Sequence, residues 1–257
     1  MMNNTKKIYF ILSALVTSLS CHSQSMSSKE LFKNIENAVS HIKTVTYKIH
    51  RTDKNFALKD TLNFSAVCNV KIVDTDKVEV HYNINQKLND STYTNHKYDG
   101  ADISYIYIQN DSLFSGSFIR ESAKEKNYAY VNNNLKFTCN EFFSKKSGLL
   151  KHISSSKKKI IKEVIYMTKP VYEITVIFKN NKNKEDEITN MIEKYYIDKT
   201  NFLPIGYVFN GEFEGMKGYE TYNIEYLEIN PPLKAQSFKA FNNVGEIDKR
   251  EIQKYNL

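Results

Sequence analysis

The sequence has 257 residues, 41% of them hydrophobic, which is enough for one core and at most two small domains. Its formal net charge is +7. Basic residues are interleaved with acids along most of the chain, apart from the run Lys157-Lys158-Lys159. The charge therefore favours a solvated, lysine-rich surface over a nucleic-acid or anionic-membrane binding surface.

The first 20 residues have the pattern of a secretory leader. Lys6 and Lys7 precede an apolar run, Ile8 to Leu19, that is too short to span a membrane. Two cleavage patterns follow. Ser18-Leu19-Ser20-Cys21 resembles a relaxed bacterial lipobox, which predicts lipidation of Cys21, and the alternative is cleavage after Ser23. Either pattern predicts an exported protein.

Two further cysteines, Cys68 and Cys139, lie far apart in the sequence and form no CxxC pair. Neither a thioredoxin-type motif nor a clustered zinc site is therefore expected. In an oxidising envelope they are able to form one disulfide. The alternative is two buried thiols, because alternation places Cys68 on an apolar strand face with Ala66 and Val70.

Helical spacing occurs near the start of the predicted mature chain and once more in its middle. Ser28 is predicted to cap an amphipathic helix whose apolar positions run from Leu31 to Ile42. A second helical segment is predicted over 140–153, interrupted near Gly148. Residues 121–134 are interpreted as a loop, and 244–255 as a short helix in a C-terminal tail.

The rest of the chain alternates with a period of two and predicts nine to eleven strands on short turns. Asp99-Gly100 is a strong turn signal, and Asp198 to Asn201 supplies another. The strand-like runs are 45–49, 62–73, 78–84, 92–98, 103–108, 113–119, 159–167, 171–178, 191–197, the run from Pro204, and 222–226. Consecutive antiparallel strands make a meander, and a sheet of this size curls.

Five segments occur in the order found in a known family. They are LFKNIENAVSHIKTVTYKI, YDGADISYIYIQND, EFFSKKSGLLKHI, YYIDKTNFLPIGY and YLEINPP. On these segments, residues 29–233 resemble the LolA/LolB-like superfamily of lipoprotein-sorting carriers and acceptors. The predicted organisation is a signal peptide (1–20), a tether (21–28), this domain (29–233) and a tail (234–257).

The resemblance implies an α+β fold that is mainly antiparallel. It would be a curved, incompletely closed β-barrel with an N-terminal and a mid-chain helix on its concave face. It also implies an apolar hollow for lipid or lipoprotein acyl chains. The candidate lining residues are Tyr47, Phe64, Val80, Tyr82, Tyr105, Tyr107 and Tyr222. The alternative is that these side chains simply fill the core. Arg51 is interpreted as a surface residue, so no counterpart of a carrier's gating arginine is identified.

No pattern indicates catalysis. His41, His50, His81, His96 and His152 show no HExxH or HxH spacing, and GxSxG and phosphate-binding glycine loops are absent from the sequence. We therefore expect a non-enzymatic protein without metal, cofactor or nucleic acid. The resemblance further implies a monomer in a Gram-negative envelope, in the periplasm or as an outer-membrane lipoprotein. Its expected function is to bind a hydrophobic ligand, with a role in lipoprotein or lipid trafficking. The alternative is a structural or protein-interaction module with a filled core and no ligand.

Overall fold

The computed structural model describes residues 26–57, 60–74, 79–89, 92–100, 102–109, 112–119, 137–144, 148–155, 158–178 and 188–239. The predicted leader, Cys21, the 121–134 loop and the 244–255 helix lie outside these residues. Among the described helices, none has both the length and the apolar character needed to cross a bilayer.

The first element is the predicted amphipathic helix, α1 (Ser28–Ser40). Its cap is Ser27 and not Ser28, since the Ser27 hydroxyl accepts a 3.2 Å hydrogen bond from the Glu30 amide. This satisfies one of the amide groups left open at a helix start. Leu31, Ile35 and Val39 recur at helical spacing and are all buried, so one face of α1 packs on the core.

Eleven strands form a single antiparallel sheet with the order β6-β5-β4-β3-β2-β1-β11-β10-β9-β8-β7. The strands are β1 Thr44–Lys54, β2 Leu62–Asp74, β3 Glu79–Asn89, β4 Thr92–Tyr98, β5 Asp102–Gln109, β6 Ser112–Ile119, β7 Lys158–Tyr166, β8 Lys169–Ile177, β9 Thr189–Asp198, β10 Pro204–Phe213 and β11 Met216–Ile229. Each run predicted from alternation is a strand. Because β6 and β7 are edges and do not pair, the sheet is open, as expected.

Two short helices, α2 (Asn140–Phe143) and α3 (Leu149–Ser155), replace a continuous mid-chain helix. The predicted interruption at Gly148 has a steric cause. Gly148 has φ +69°, and a Cβ there would lie 2.3 Å from the Glu141 carbonyl oxygen. Only glycine allows this approach, so Gly148 lets α3 begin against α2.

The core lies between the helices and one face of the sheet, here called the concave face. Leu31 and Ile35 of α1 and Phe142 of α2 belong to the same buried cluster as Tyr47 of β1 and Ile174 of β8. A 3-10 helix (Ala235–Phe238) follows β11, and Phe238 is buried in contact with His81. The 3-10 helix therefore packs against β3 through Phe238.

The opposite, convex face carries a smaller contact at the β7 edge. The ring of Tyr166 stacks on Tyr196 with centroids 3.8 Å apart and planes at 6°. Its hydroxyl donates to the Asn223 side chain on β11. Gly206 lies beneath this ring, and a Cβ there would come within 2.7 Å of it. The side chain of an edge strand thus reaches across to β9, β10 and β11.

Candidate functional site

The concave face is defined by the strand register, because residues directly opposite in antiparallel strands point to the same side. Tyr47 on β1 lies opposite Cys68 on β2, which lies opposite Ile84 on β3. The same row continues through His96 on β4 to Tyr105 on β5. Since Tyr47, Cys68 and Ile84 belong to the core cluster, Tyr105 also lies on the concave face.

The seven residues predicted to line a hollow occupy register positions of this face. Tyr47, Tyr82 and Tyr222 are fully buried, Val80 is buried, and Phe64 and Tyr105 are half-buried. Tyr107 occupies the position opposite Thr94, two residues along from Tyr105. Their common face follows from the register, and their contact with a ligand stays a prediction.

Two members of a second aromatic row on this face, Tyr195 and Tyr207, were not among the predicted lining residues. Tyr195 on β9, Tyr207 on β10 and Tyr222 on β11 lie side by side, with successive ring centroids 5.2 and 5.0 Å apart. Burial, and next the charge of Glu193, raise the pKa of Tyr207, so its hydroxyl stays protonated and is able to donate. Alternation within the two runs places both tyrosines on the apolar face, which is a signal available in the sequence.

Helix α2 contacts this row through one apolar and one charged side chain. The Phe142 ring packs on Tyr222 with centroids 5.2 Å apart. Beside it, the Tyr222 hydroxyl donates a 2.8 Å hydrogen bond to Glu141 Oε2. Just before α2, the Phe137 carbonyl accepts a hydrogen bond from the Tyr47 hydroxyl. The mid-chain segment is thus hydrogen-bonded to the concave face at two fully buried tyrosines.

Helix α3 makes a similar polar contact on the neighbouring strands. His152 Nδ1 lies 2.7 Å from Glu193 Oε2 and 3.2 Å from the Tyr195 hydroxyl. That hydroxyl itself donates to Glu193 at 2.7 Å, while the His152 ring lies edge-on to Phe178. Glu193 is 8% exposed, so this carboxylate is buried and satisfied by hydrogen bonds from both the helix and the sheet.

Arg51 corrects the sequence interpretation, which placed it on the surface. It is only 7% exposed and forms ion pairs of 2.7 Å with Asp53 and 2.6 Å with Glu220. Its guanidinium also lies 5.6 Å from the Tyr222 ring centroid. The physical reason is alternation: Arg51 follows Tyr47 and Ile49 on the same face of β1. Burial opposes its charge, but Glu220 and Asp53 more than offset this and raise its pKa.

The chemistry of these groups is that of hydrogen bonding and ion pairing. Within the described ranges, no three His, Cys, Asp or Glu side chains are placed to hold a metal ion. Cys68 is buried in the core with Ala66 and Val70, as its strand face predicted. Burial raises the pKa of the Cys68 and Cys139 thiols, which makes both poor nucleophiles at neutral pH.

No family model matches the sequence, and no curated protein matches it. Among solved structures, the chain is similar to LprF from Mycobacterium bovis with TM-score 0.47 and 9% identity, over 80% of this chain and 97% of that one. It is also similar to Mycobacterium tuberculosis lipoprotein LppX, with TM-score 0.44 and 13% identity, over 81% and 100%. A LolA superfamily protein, NE2245 from Nitrosomonas europaea, aligns with TM-score 0.31 and 6% identity, over 84% and 98%.

With TM-scores of at most 0.47, these similarities establish neither family membership nor function. The fold is defined by the register of this chain's own strands. An unclosed antiparallel sheet with helices on its concave face is what the LolA/LolB-like resemblance implies, and it is the fold observed.

Proposed function

We propose that this protein is a non-enzymatic component of the cell envelope that binds an apolar, acyl-bearing ligand on the concave face of its sheet. Helices α2 and α3 form the cover of that site. Aromatic and aliphatic side chains dominate the face, which suits a long apolar group. The acyl ligand, the envelope location and the tether at Cys21 come from the sequence and its resemblance.

The observation that carries the proposal is that the cover is joined to the sheet by partly buried polar contacts. Glu141 binds Tyr222 from α2, and His152 binds Glu193 from α3. In a permanent interface, apolar residues of similar volume are often as stable as buried charges or more so. When such an interface opens, the charged groups regain hydration. These contacts therefore fit a cover that separates from the sheet and closes again.

A second candidate has its own support. Tyr47, Tyr82 and Tyr222 are fully buried, so a large part of the concave face is already filled by the protein's own side chains. This favours an envelope structural or protein-interaction module that takes up no ligand. The two candidates differ in whether lipid co-purifies with the protein.

The test is to purify the full chain gently from its envelope fraction and identify extracted lipids by mass spectrometry. The proposal expects a defined lipid class in a constant ratio to protein after gel filtration. It also expects uptake of a dansyl-labelled fatty acid, with faster association in Tyr222→Phe, where the cover is loosened. Tyr219→Phe is the matched control, because that hydroxyl faces solvent beside Thr61. Absence of both co-purified lipid and probe uptake would support the filled-core module instead.

A further inference from the structure

Three uncharged polar side chains lie together on the concave face of β3 and β4. Gln86 on β3 is directly opposite Thr94 on β4. Along their strands, Gln86 lies two residues from Ile84, and Thr94 lies two residues from His96. Ile84 and His96 belong to the row that runs from Tyr47 to Tyr105. Side chains two apart on a strand share a face, so Gln86, Thr94 and Thr92 point the same way as Ile84.

All three side chains are buried, and the two threonine hydroxyls lack the hydrogen bonds that burial normally requires. Thr92 is 2% exposed, Thr94 5% and Gln86 6%. Neither threonine Oγ1 has a hydrogen-bond partner within the part of the chain that the structure describes. A buried hydroxyl without a partner is destabilising, and such groups are uncommon in folded proteins. Two of them, next to each other on a candidate binding face, indicate that an external group supplies the acceptor.

The surroundings define the chemistry of that group. His96, the next concave-face residue on β4, is neutral at neutral pH because burial lowers its pKa to about 4. Charged side chains of the concave face include Arg51, Asp53, Glu193 and Glu220, and these lie instead on β1, β9 and β11. A carboxylate or phosphate would therefore meet no cation among the described side chains of this row. Threonine hydroxyls and a glutamine amide are all donors, and together they suit an uncharged carbonyl oxygen.

We propose that Gln86, Thr92 and Thr94 form the subsite that binds the acyl-ester carbonyls of a neutral lipid. This deepens the proposed function, on which it rests, by naming the preferred ligand class: an ester-linked acyl lipid, bound more tightly than a free fatty acid or a plain hydrocarbon. The chains would run along the aromatic concave face on either side of the row.

The experiment compares two lipids that differ only in the carbonyl groups. Delipidated full-length protein is titrated with dioleoylglycerol and with its dialkyl ether analogue, by competition against the dansyl probe. Wild type should prefer the diester. Thr94→Val, which removes the hydroxyl and keeps the shape, should weaken diester binding about two- to tenfold and leave diether binding unchanged. The same variant should raise the melting temperature, because an unpaired buried hydroxyl is removed.

Thr52→Val is the matched control, since the Thr52 hydroxyl already donates to Asn63 on the other face of the sheet. It should leave the diester preference intact. Equal binding of the two lipids by wild type would overturn the inference. An unchanged diester preference in both Thr94→Val and Thr92→Val would also overturn it, because neither hydroxyl would then bind an ester carbonyl. If wild type binds neither lipid nor the probe, the proposed function fails and the subsite fails with it.

Discussion

The hydroxyl of Tyr222, on β11, donates a 2.8 Å hydrogen bond to Glu141, on α2, although the two residues are 81 positions apart. One end of this contact belongs to the sheet and the other to its cover. It therefore offers a direct way to change the stability of the cover, because Tyr222→Phe removes the hydroxyl and keeps the ring that lines the face.

Tyr222→Phe should destabilise the protein by about 1–3 kcal/mol, because Glu141 loses a buried partner while the aromatic packing is kept. Amide hydrogen exchange should speed up in residues 140–143 more than in the strands. Tyr219→Phe, at the solvent-facing hydroxyl, should change stability by at most about 0.5 kcal/mol. Equal effects of the two substitutions in chemical denaturation would show that the Glu141 contact contributes nothing.

Arg51→Met should destabilise by about 2–3 kcal/mol. The cost is below that of breaking a wholly buried pair, because the side chains of Asp53 and Glu220 are 21% and 25% exposed. Adding Glu220→Gln should restore part of the loss, since a carboxylate left without its cation is removed. A double-mutant cycle by urea denaturation measures this coupling. Strict additivity of the two substitutions would contradict the buried ion pair.

The stability of the protein should fall as the pH is lowered from 6.5 towards 4. Burial lowers the pKa of His96 from 6.5 to about 4, so the unfolded chain takes up a proton before the folded one does. The stabilisation that depends on neutral His96 is fully present above pH 6.5. By about pH 5 the free energy of unfolding should be lower by about 2 kcal/mol, which corresponds to a melting temperature about 4–8 °C lower. His96→Gln should flatten this pH dependence, whereas His50→Gln, at an exposed site, should retain it.

Tyr105→Ala tests whether β5 faces a binding hollow. Replacing an aromatic residue in a packed core typically costs about 3–5 kcal/mol, but a half-buried ring facing ligand space should cost about 1–2 kcal/mol. Leu31→Ala, at a fully packed position of α1, should cost about 3 kcal/mol and is the reference. Uptake of the dansyl fatty acid should change in Tyr105→Ala. A cost equal to that of Leu31→Ala, with unchanged uptake, would place Tyr105 in a closed core.

Metabolic labelling with an alkyne fatty acid should mark the wild-type protein if Cys21 is lipidated. Cys21→Ala should abolish the label, because the modified thiol is lost. Cys68→Ala should keep it, since Cys68 lies in the buried core. An unlabelled wild type would instead support cleavage after Ser23 and a protein without a lipid anchor.

Much of the fold could be predicted because each strand carries its own signal. Tyr82 and Ile84 alternate with polar residues on β3, and the Asp198 to Asn201 turn is stabilised by its own side chains, as turn chemistry predicts. Boundaries moved by a few residues where signals were ambiguous, as at the helix cap, where Ser27 and Ser28 are both suitable.

The polar part of the candidate site was largely missed for a different reason. Glu193 and His152 are 41 positions apart, and nothing near either residue in the sequence indicates that they meet. Arg51 was misplaced because the predicted strand run ended at residue 49, whereas the strand continues to Lys54. The unpaired hydroxyl of Thr94 could not be predicted either. It is recognised only when the strand register gives the face of Thr94 and its burial excludes bulk water.

The contact of Tyr166 with Tyr196 and Asn223 has a mechanical consequence. An edge strand that contacts only its neighbour can separate from the sheet. Strand β7 also contacts β9 and β11 across the convex face through Tyr166. Lys158 and Lys162 are exposed on the same strand and disfavour pairing with another chain. We therefore expect this side of the sheet to resist opening. Under the proposed function, a bulky ligand would then enter by displacement of the helices, while the strands keep their register.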